Sequence, residues 1–191
     1  MKAEPQKEHH WLQQLVGEWT CEMDAHTQCP EGSDAEASGA ESSGEEGSTS
    51  ATWTESVRSL HGLWVVGEGK GEMPQVGPVT TILTIGYDPH KKRYVGTWIG
   101  SMMTYLWIYD GWLDETGKVL TLEAEGPDFT TEGKMAKYRD IITIKDNDYR
   151  LFTAEVLGDD GEWREMMRVH YRRKDQSAAH SAEHAKEAAS L

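Results

Sequence analysis

Cysteine is scarce: the 191 residues hold two, Cys21 and Cys29. That is too few for a disulfide framework, and no CxxC or Cys/His quartet surrounds them, so a structural zinc has no support. Long apolar runs are missing too. No stretch approaches the ~20 residues of a membrane span, and Met1-Lys2-Ala3-Glu4-Pro5-Gln6 lacks the apolar core of a secretory signal. A cytoplasmic chain with no membrane partner is expected. Positive charge is short as well, with 19 Lys and Arg against 33 Asp and Glu and a net charge of −14. Nucleic acid is a poor partner for such a chain, because phosphate binding needs clustered Lys and Arg. What is present is 37% hydrophobic residues and 19 glycines, enough for one sizeable core.

The chain opens with Glu8 to Val16, where Trp11, Leu12, Leu15 and Val16 share one helical face and Gly17 supplies the stop. From Glu18 the period becomes two: Trp19, Cys21, Met23 and Ala25 alternate with polar residues, as a half-buried strand requires. Cys21 then reads as a small buried core residue and Cys29 as a loop residue. Residues 26–50 lose all periodicity and carry six acidic residues without a single Lys or Arg, an acidic insertion that composition marks as disordered. Nine strands follow: Ala51 to Leu60, Leu63 to Met73, Val79 to Tyr87, Arg93 to Ser101, Tyr105 to Leu113, Val119 to Glu125, Ala136 to Lys145, Tyr149 to Leu157 and Trp163 to Lys174. Turn chemistry separates them at His61-Gly62, Asp88-Pro89-His90, Asp114 to Gly117, Asp146-Asn147-Asp148 and Asp159-Asp160-Gly161. Hairpins without intervening helices predict an all-β antiparallel meander, and about ten strands close most economically as an up-and-down barrel with a short N-terminal helix. The expected organisation is one barrel domain over residues 1–174, with a flexible or helical tail over 175–191. In that tail His180 and His184 stand at i, i+4 spacing, but no HExxH pattern or third ligand accompanies them, and no metal is expected.

Alternation divides each strand into two faces, of which the more apolar should point inward. The inward sets include Val79, Thr81, Leu83, Ile85 and Tyr87, then Leu120, Leu122 and Ala124, and on the last strand Trp163, Met167, Val169 and Tyr171, which leaves His170 facing solvent. The same rule turns two carboxylates inward, Glu55 beside Trp53 and Val57, and Asp140 beside Tyr138, Ile142 and Ile144. An inward carboxylate implies a polar pocket, ordered water or an arginine partner; alternatively both lie near the barrel mouth and pair with Arg58 or Arg139. Tyr105, Trp107 and Tyr109 share one face of their strand while Leu106, Ile108 and Trp112 share the other, so either both sides are buried or one is an exposed contact surface. Gly67, Gly69 and Gly71 fall on one strand face, where they permit bending or close approach; they are not a phosphate loop. No G-x-S-x-G elbow and no strong nucleophile-and-base constellation stands out.

Leu15-Val16-Gly17-Glu18-Trp19, Gly86-Tyr87-Asp88-Pro89, Tyr94 through Met103, Met135 through Asp140, and Tyr171-Arg172-Arg173 resemble the bacterial family called domain of unknown function 1579, over residues 5–174. The resemblance implies a calycin-like barrel, similar in outline to lipocalins, fatty-acid-binding proteins and nitrobindins, and it carries over no catalytic residue. Gly17-x-Trp19 looks like the lipocalin signature, in which the tryptophan packs under an arginine from the last strand; Arg172 or Arg173 would fill that role. Gly62-x-Trp64 with Gly67, Gly69, Gly71 and Pro74 looks like the nitrobindin glycine signature, but the haem-ligand histidine has no clear counterpart. The acidic insertion and the alanine-rich tail depart from the family pattern.

The leading expectation is a barrel that binds a small, largely apolar ligand, with Trp53, Trp98, Trp107, Tyr109, Tyr138 and Met167 as walls and Glu55 and Asp140 as polar contacts. The alternatives are a packed barrel that forms a homodimer through an exposed aromatic surface, an enzyme using Asp140 or Glu55 as general acid or base, and, last, haem binding through His170 or His61. No cofactor is expected on the leading reading.

Overall fold

The computed structural model describes residues 3–24, 53–73 and 76–174. The acidic segment 26–50, Cys29, and residues 175–191 with His180 and His184 lie outside them. A helix α1 (Lys7–Leu12) and a 3-10 turn (Gln13–Leu15) precede ten strands: β1 (Gly17–Met23), β2 (Trp53–Leu60), β3 (Trp64–Met73), β4 (Gly77–Asp88), β5 (Arg93–Gly100), β6 (Trp107–Leu113), β7 (Val119–Pro127), β8 (Met135–Ile144), β9 (Tyr149–Leu157) and β10 (Trp163–Arg173). Each pairs antiparallel with its sequence neighbour, and β1 also pairs with β10, from Trp19 opposite Arg173 to Met23 opposite Val169. The sheet is therefore a closed up-and-down barrel, which removes every strand edge.

Aspartates hold the tight turns, as the sequence requires. Asp88 Oδ1 accepts from the His90 amide at 2.9 Å, and Asp114 Oδ1 accepts from the Lys118 and Val119 amides at 3.0 Å each. His61 and Gly62, at φ 52° and 80°, turn the chain from β2 to β3.

One end of the barrel is plugged from within the same chain. Leu12 and Leu15 are fully buried against Val65, Ile85 and Leu120. The Trp11 indole donates to the Gly117 carbonyl at 2.8 Å, and the Tyr94 hydroxyl donates to the Glu8 carbonyl at 3.3 Å. Helical periodicity identified Trp11, Leu12 and Leu15 but not His9, which is also buried, accepts the Gln6 amide at 3.0 Å and meets the Tyr87 ring edge-on.

Barrel closure follows the resemblance to lipocalins. Trp19 on β1 is buried, its indole N–H donates to Leu15 O at 2.9 Å, and the guanidinium of Arg173 stacks on its ring at 4.2 Å. Arg173 also donates to Val16 O at 2.7 Å and Gln14 O at 3.2 Å, which ties the last strand to the first. Of the two candidate arginines Arg173 fills the role; Arg172 lies over Tyr149.

One facing differs from the alternation rule. A bulge between Glu165 and Met167 shifts the phase of β10, so that Trp163 pairs with Leu157 and packs under Arg139 on the outer face rather than inside. Beyond the bulge Val169 is buried, as expected.

Candidate functional site

Two polar pairs occupy the inner face between the plug and the opposite end. On β2, alternation puts Trp53, Glu55 and Val57 inward, with Glu55 opposite Trp19 and Gly69. Its carboxylate forms an ion pair with Arg150, reaching from β9. Arg150 is 3% exposed, and its guanidinium packs 4.5 Å from the Trp19 ring and 4.4 Å from the Tyr171 ring. Its Nε–H has no hydrogen-bond partner among the described residues.

The second pair joins β6 and β8. The Tyr109 hydroxyl donates to Asp140 Oδ2. Burial pushes the Asp140 carboxyl up to about 6, a rise the Tyr109 hydrogen bond only partly offsets. Burial, followed by the Asp140 charge, drives the Tyr109 phenol well above its usual value. Tyr171 links the two pairs: burial raises its phenol, and among the neighbouring charges Glu55 acts first and Asp140 last. Cys21 completes the group, its thiol pushed up to about 12 by burial and then by Glu55, so it is inert. A carboxyl titrating near 6 can exchange a proton close to neutral pH, the property a general acid or base needs.

Aromatic rings form the walls. Trp107 meets Tyr138 edge-on at 4.9 Å, and Phe129 meets Tyr138 at 5.7 Å. Trp98 pairs with Leu83 and Trp107 and packs on the same cluster. Glycines give the rings room. A Cβ at Gly71 would collide with the Trp53 ring and one at Gly126 with the Trp107 ring, while at Gly67 it would stand 3.1 Å from Glu55 Oε1.

Asp140, Trp98, Leu83, Phe152, Val156 and Tyr171 all lie on the inner face, and all retain accessible surface. Asp140 is thus desolvated yet not wholly covered. A separate cleft of about 410 Å³ lies at the plugged end, lined by Glu8, Trp11, Tyr87, Tyr94 and the turn at Gly117. None of the residues of the two polar pairs lines it, and its rings meet one another edge-on.

Trp53, Glu55, Trp98, Trp107, Tyr109, Tyr138 and Asp140 share the inner face, as alternation predicts. Met167, the remaining expected wall, is half-buried opposite Ala154; its bulge neighbour Met166 packs on the core. The mouth pairings also differ from the alternative weighed above: Glu55 pairs with Arg150 rather than Arg58, and Arg139 pairs with Glu155. Arg150 is the residue that sequence reasoning missed, although it alternates with Phe152, Ala154 and Val156.

His170 faces outward, as expected. Its Nδ1 lies 2.7 Å from the Tyr149 hydroxyl and its Nε2 3.0 Å from Asp24 Oδ1. This Asp–His–Tyr chain was invisible in sequence because Asp24 and His170 stand 146 residues apart. His61 is exposed in its turn. Neither histidine reaches the interior. Among the described residues, no three His, Cys, Asp or Glu side chains stand close enough to hold a metal ion, and no helix is long and apolar enough to cross a membrane.

Fold and interior together define a calycin-like barrel: ten antiparallel strands closed around a polar cluster with aromatic walls. The chain belongs to the family described as "Protein of unknown function (DUF1579)", whose profile matches residues 4–173. Comparison with curated proteins finds no match.

Proposed function

We propose that this protein binds a small, largely apolar ligand inside the barrel, its body against Trp53, Trp98, Trp107 and Tyr138 and its polar end toward Glu55–Arg150 and Asp140–Tyr109. The observation that carries this reading is the accessible surface kept by inward side chains such as Asp140, Phe152 and Tyr171. A core built only for stability closes such space, because interiors pack to crystal-like density. Pockets of this kind pair apolar walls with a few placed polar groups. Native mass spectrometry of the protein from its expression host, under gentle and then denaturing conditions, tests it. The expected result is a non-covalent adduct lost on denaturation, or one-to-one uptake of an added apolar fluorophore. A chain with no adduct that takes up no fluorophore overturns it.

A second reading, association of two copies, is favoured by the outer face of β5 and β6 with the residue that precedes β6, where Ile99, Ile108 and Leu106 are 46%, 65% and 48% exposed. Sedimentation at high concentration tests it: a dimer supports it, and a monomer removes it.

A further inference from the structure

We propose that the polar end of this pocket takes a cationic head group, a protonated amine on an apolar body, with Asp140 as its counter-ion. This rests on the interior-binding reading above and specifies what that interior accepts.

Asp140 has no cationic partner among the described residues. Its hydrogen-bond partner among the described residues is the Tyr109 hydroxyl, which occupies Oδ2 and leaves Oδ1 able to accept another donor. Among the described residues no cation contributes to holding the carboxylate ionised; burial acts against it and the Tyr109 hydrogen bond acts for it. Buried charges in proteins are normally paired. Arg150, the buried arginine of the inner face, is committed to Glu55 and stacked on Trp19 and Tyr171. Among the described residues the titratable group that acts on Asp140 is Tyr109 on β6, and Tyr171 on β10 feels the Asp140 charge together with Glu55 on β2, Cys21 on β1 and Arg150 on β9; none of these supplies Asp140 with a positive charge.

With Glu55 and Arg150 cancelling each other, an ionised Asp140 leaves the interior one negative charge in excess. A carboxylate head group would be repelled, a neutral one would leave the charge unpaired, and an ammonium would supply the missing partner. The rings of Trp107, Tyr138 and Trp98 on the same inner face favour a cation again, because their faces carry negative quadrupole density. The chain's net charge of −14 attracts cations toward the barrel from solution.

Calorimetry on the full chain with octylamine, octanol and octanoate, in moderate salt to screen surface charge, separates the cases. The amine should bind at least about tenfold more tightly than the alcohol, and the carboxylate most weakly. In Asp140→Asn the amine should fall to the alcohol's affinity while the alcohol's is kept. In the unaltered protein the amine's advantage should shrink as the pH falls from about 7.5 to about 5, where the aspartate takes up its proton. Equal binding of amine and alcohol, tightest binding of the carboxylate, or an amine advantage independent of pH overturns the cationic-head assignment while the binding reading stands. Failure of all three probes to bind overturns both.

Discussion

Arg150 stands where alternation along Tyr149–Leu157 calls for an aliphatic side chain, and the interior is arranged around it. Glu55 neutralises it, Trp19 and Tyr171 cover its planar faces, and its Nε–H is left without a hydrogen bond among the described residues. Removing one partner of a buried pair exposes the other to the full cost of an uncompensated charge. Arg150→Met should therefore lower the unfolding free energy by about 3–5 kcal/mol. Adding Glu55→Gln should restore most of that loss, because a neutral side chain then replaces the orphaned carboxylate. Urea denaturation of the two single variants and the double variant measures it, and additive losses would show that the two side chains are not coupled. The sequence made Glu55 legible as an inward acid because Trp53 and Val57 flank it at period two. It did not make the partner legible: the two residues are 95 positions apart, and β2 and β9 come within reach only when β1 pairs with β10 and the ten strands close.

At the scale of the element, strand limits were legible because apolar alternation and turn aspartates agree along most of the chain. Phase was not legible where both residues at a break are apolar. Met166 and Met167 are interchangeable to an alternation rule, so the bulge beside them, and with it the outward turn of Trp163, has no sequence mark. The glycines of β3 were legible as a stripe but not as seats for particular side chains. Gly71 sits under the Trp53 ring, and a Cβ there would overlap it. Since the atoms that a Cβ would meet belong to a rigid indole, relief requires the ring to swing away from β3. Gly71→Ala should destabilise the barrel by about 1–3 kcal/mol, the usual cost of overpacking. It should also weaken interior binding and shift tryptophan emission, because Trp53 leaves its seat. Unchanged emission together with unchanged affinity would remove Trp53 from the wall.

At the scale of the whole molecule, pH sets two groups of carboxylates against each other. Asp88, Asp114, Asp128 and Asp160 lie in turns and are held below the ordinary range, chiefly by the Lys91 amide, the Thr116 hydroxyl, the Thr130 hydroxyl and the Arg164 guanidinium respectively. Their support is present above the unfolded value of 3.8 and is lost as pH falls through their lower folded values. Asp140 runs the other way. With a folded value raised from 3.8 to about 6, the folded chain holds its proton more tightly than the unfolded chain does. The stability this contributes is complete below about pH 4 and is lost as pH rises through about 6, a difference on the order of 3 kcal/mol. Stability should accordingly rise as pH falls from neutral toward about 5, then fall as the turn aspartates protonate. Easing of the repulsion within a chain of net charge −14 acts in the same direction over the first part of that range, so the profile alone does not isolate Asp140. Asp140→Asn does, because the amide can still accept from Tyr109 and does not titrate. The variant should be the more stable protein near pH 7.5, with a gap that narrows steadily toward about pH 4. A gap independent of pH would show that the buried carboxyl does not titrate between the two states as its surroundings require.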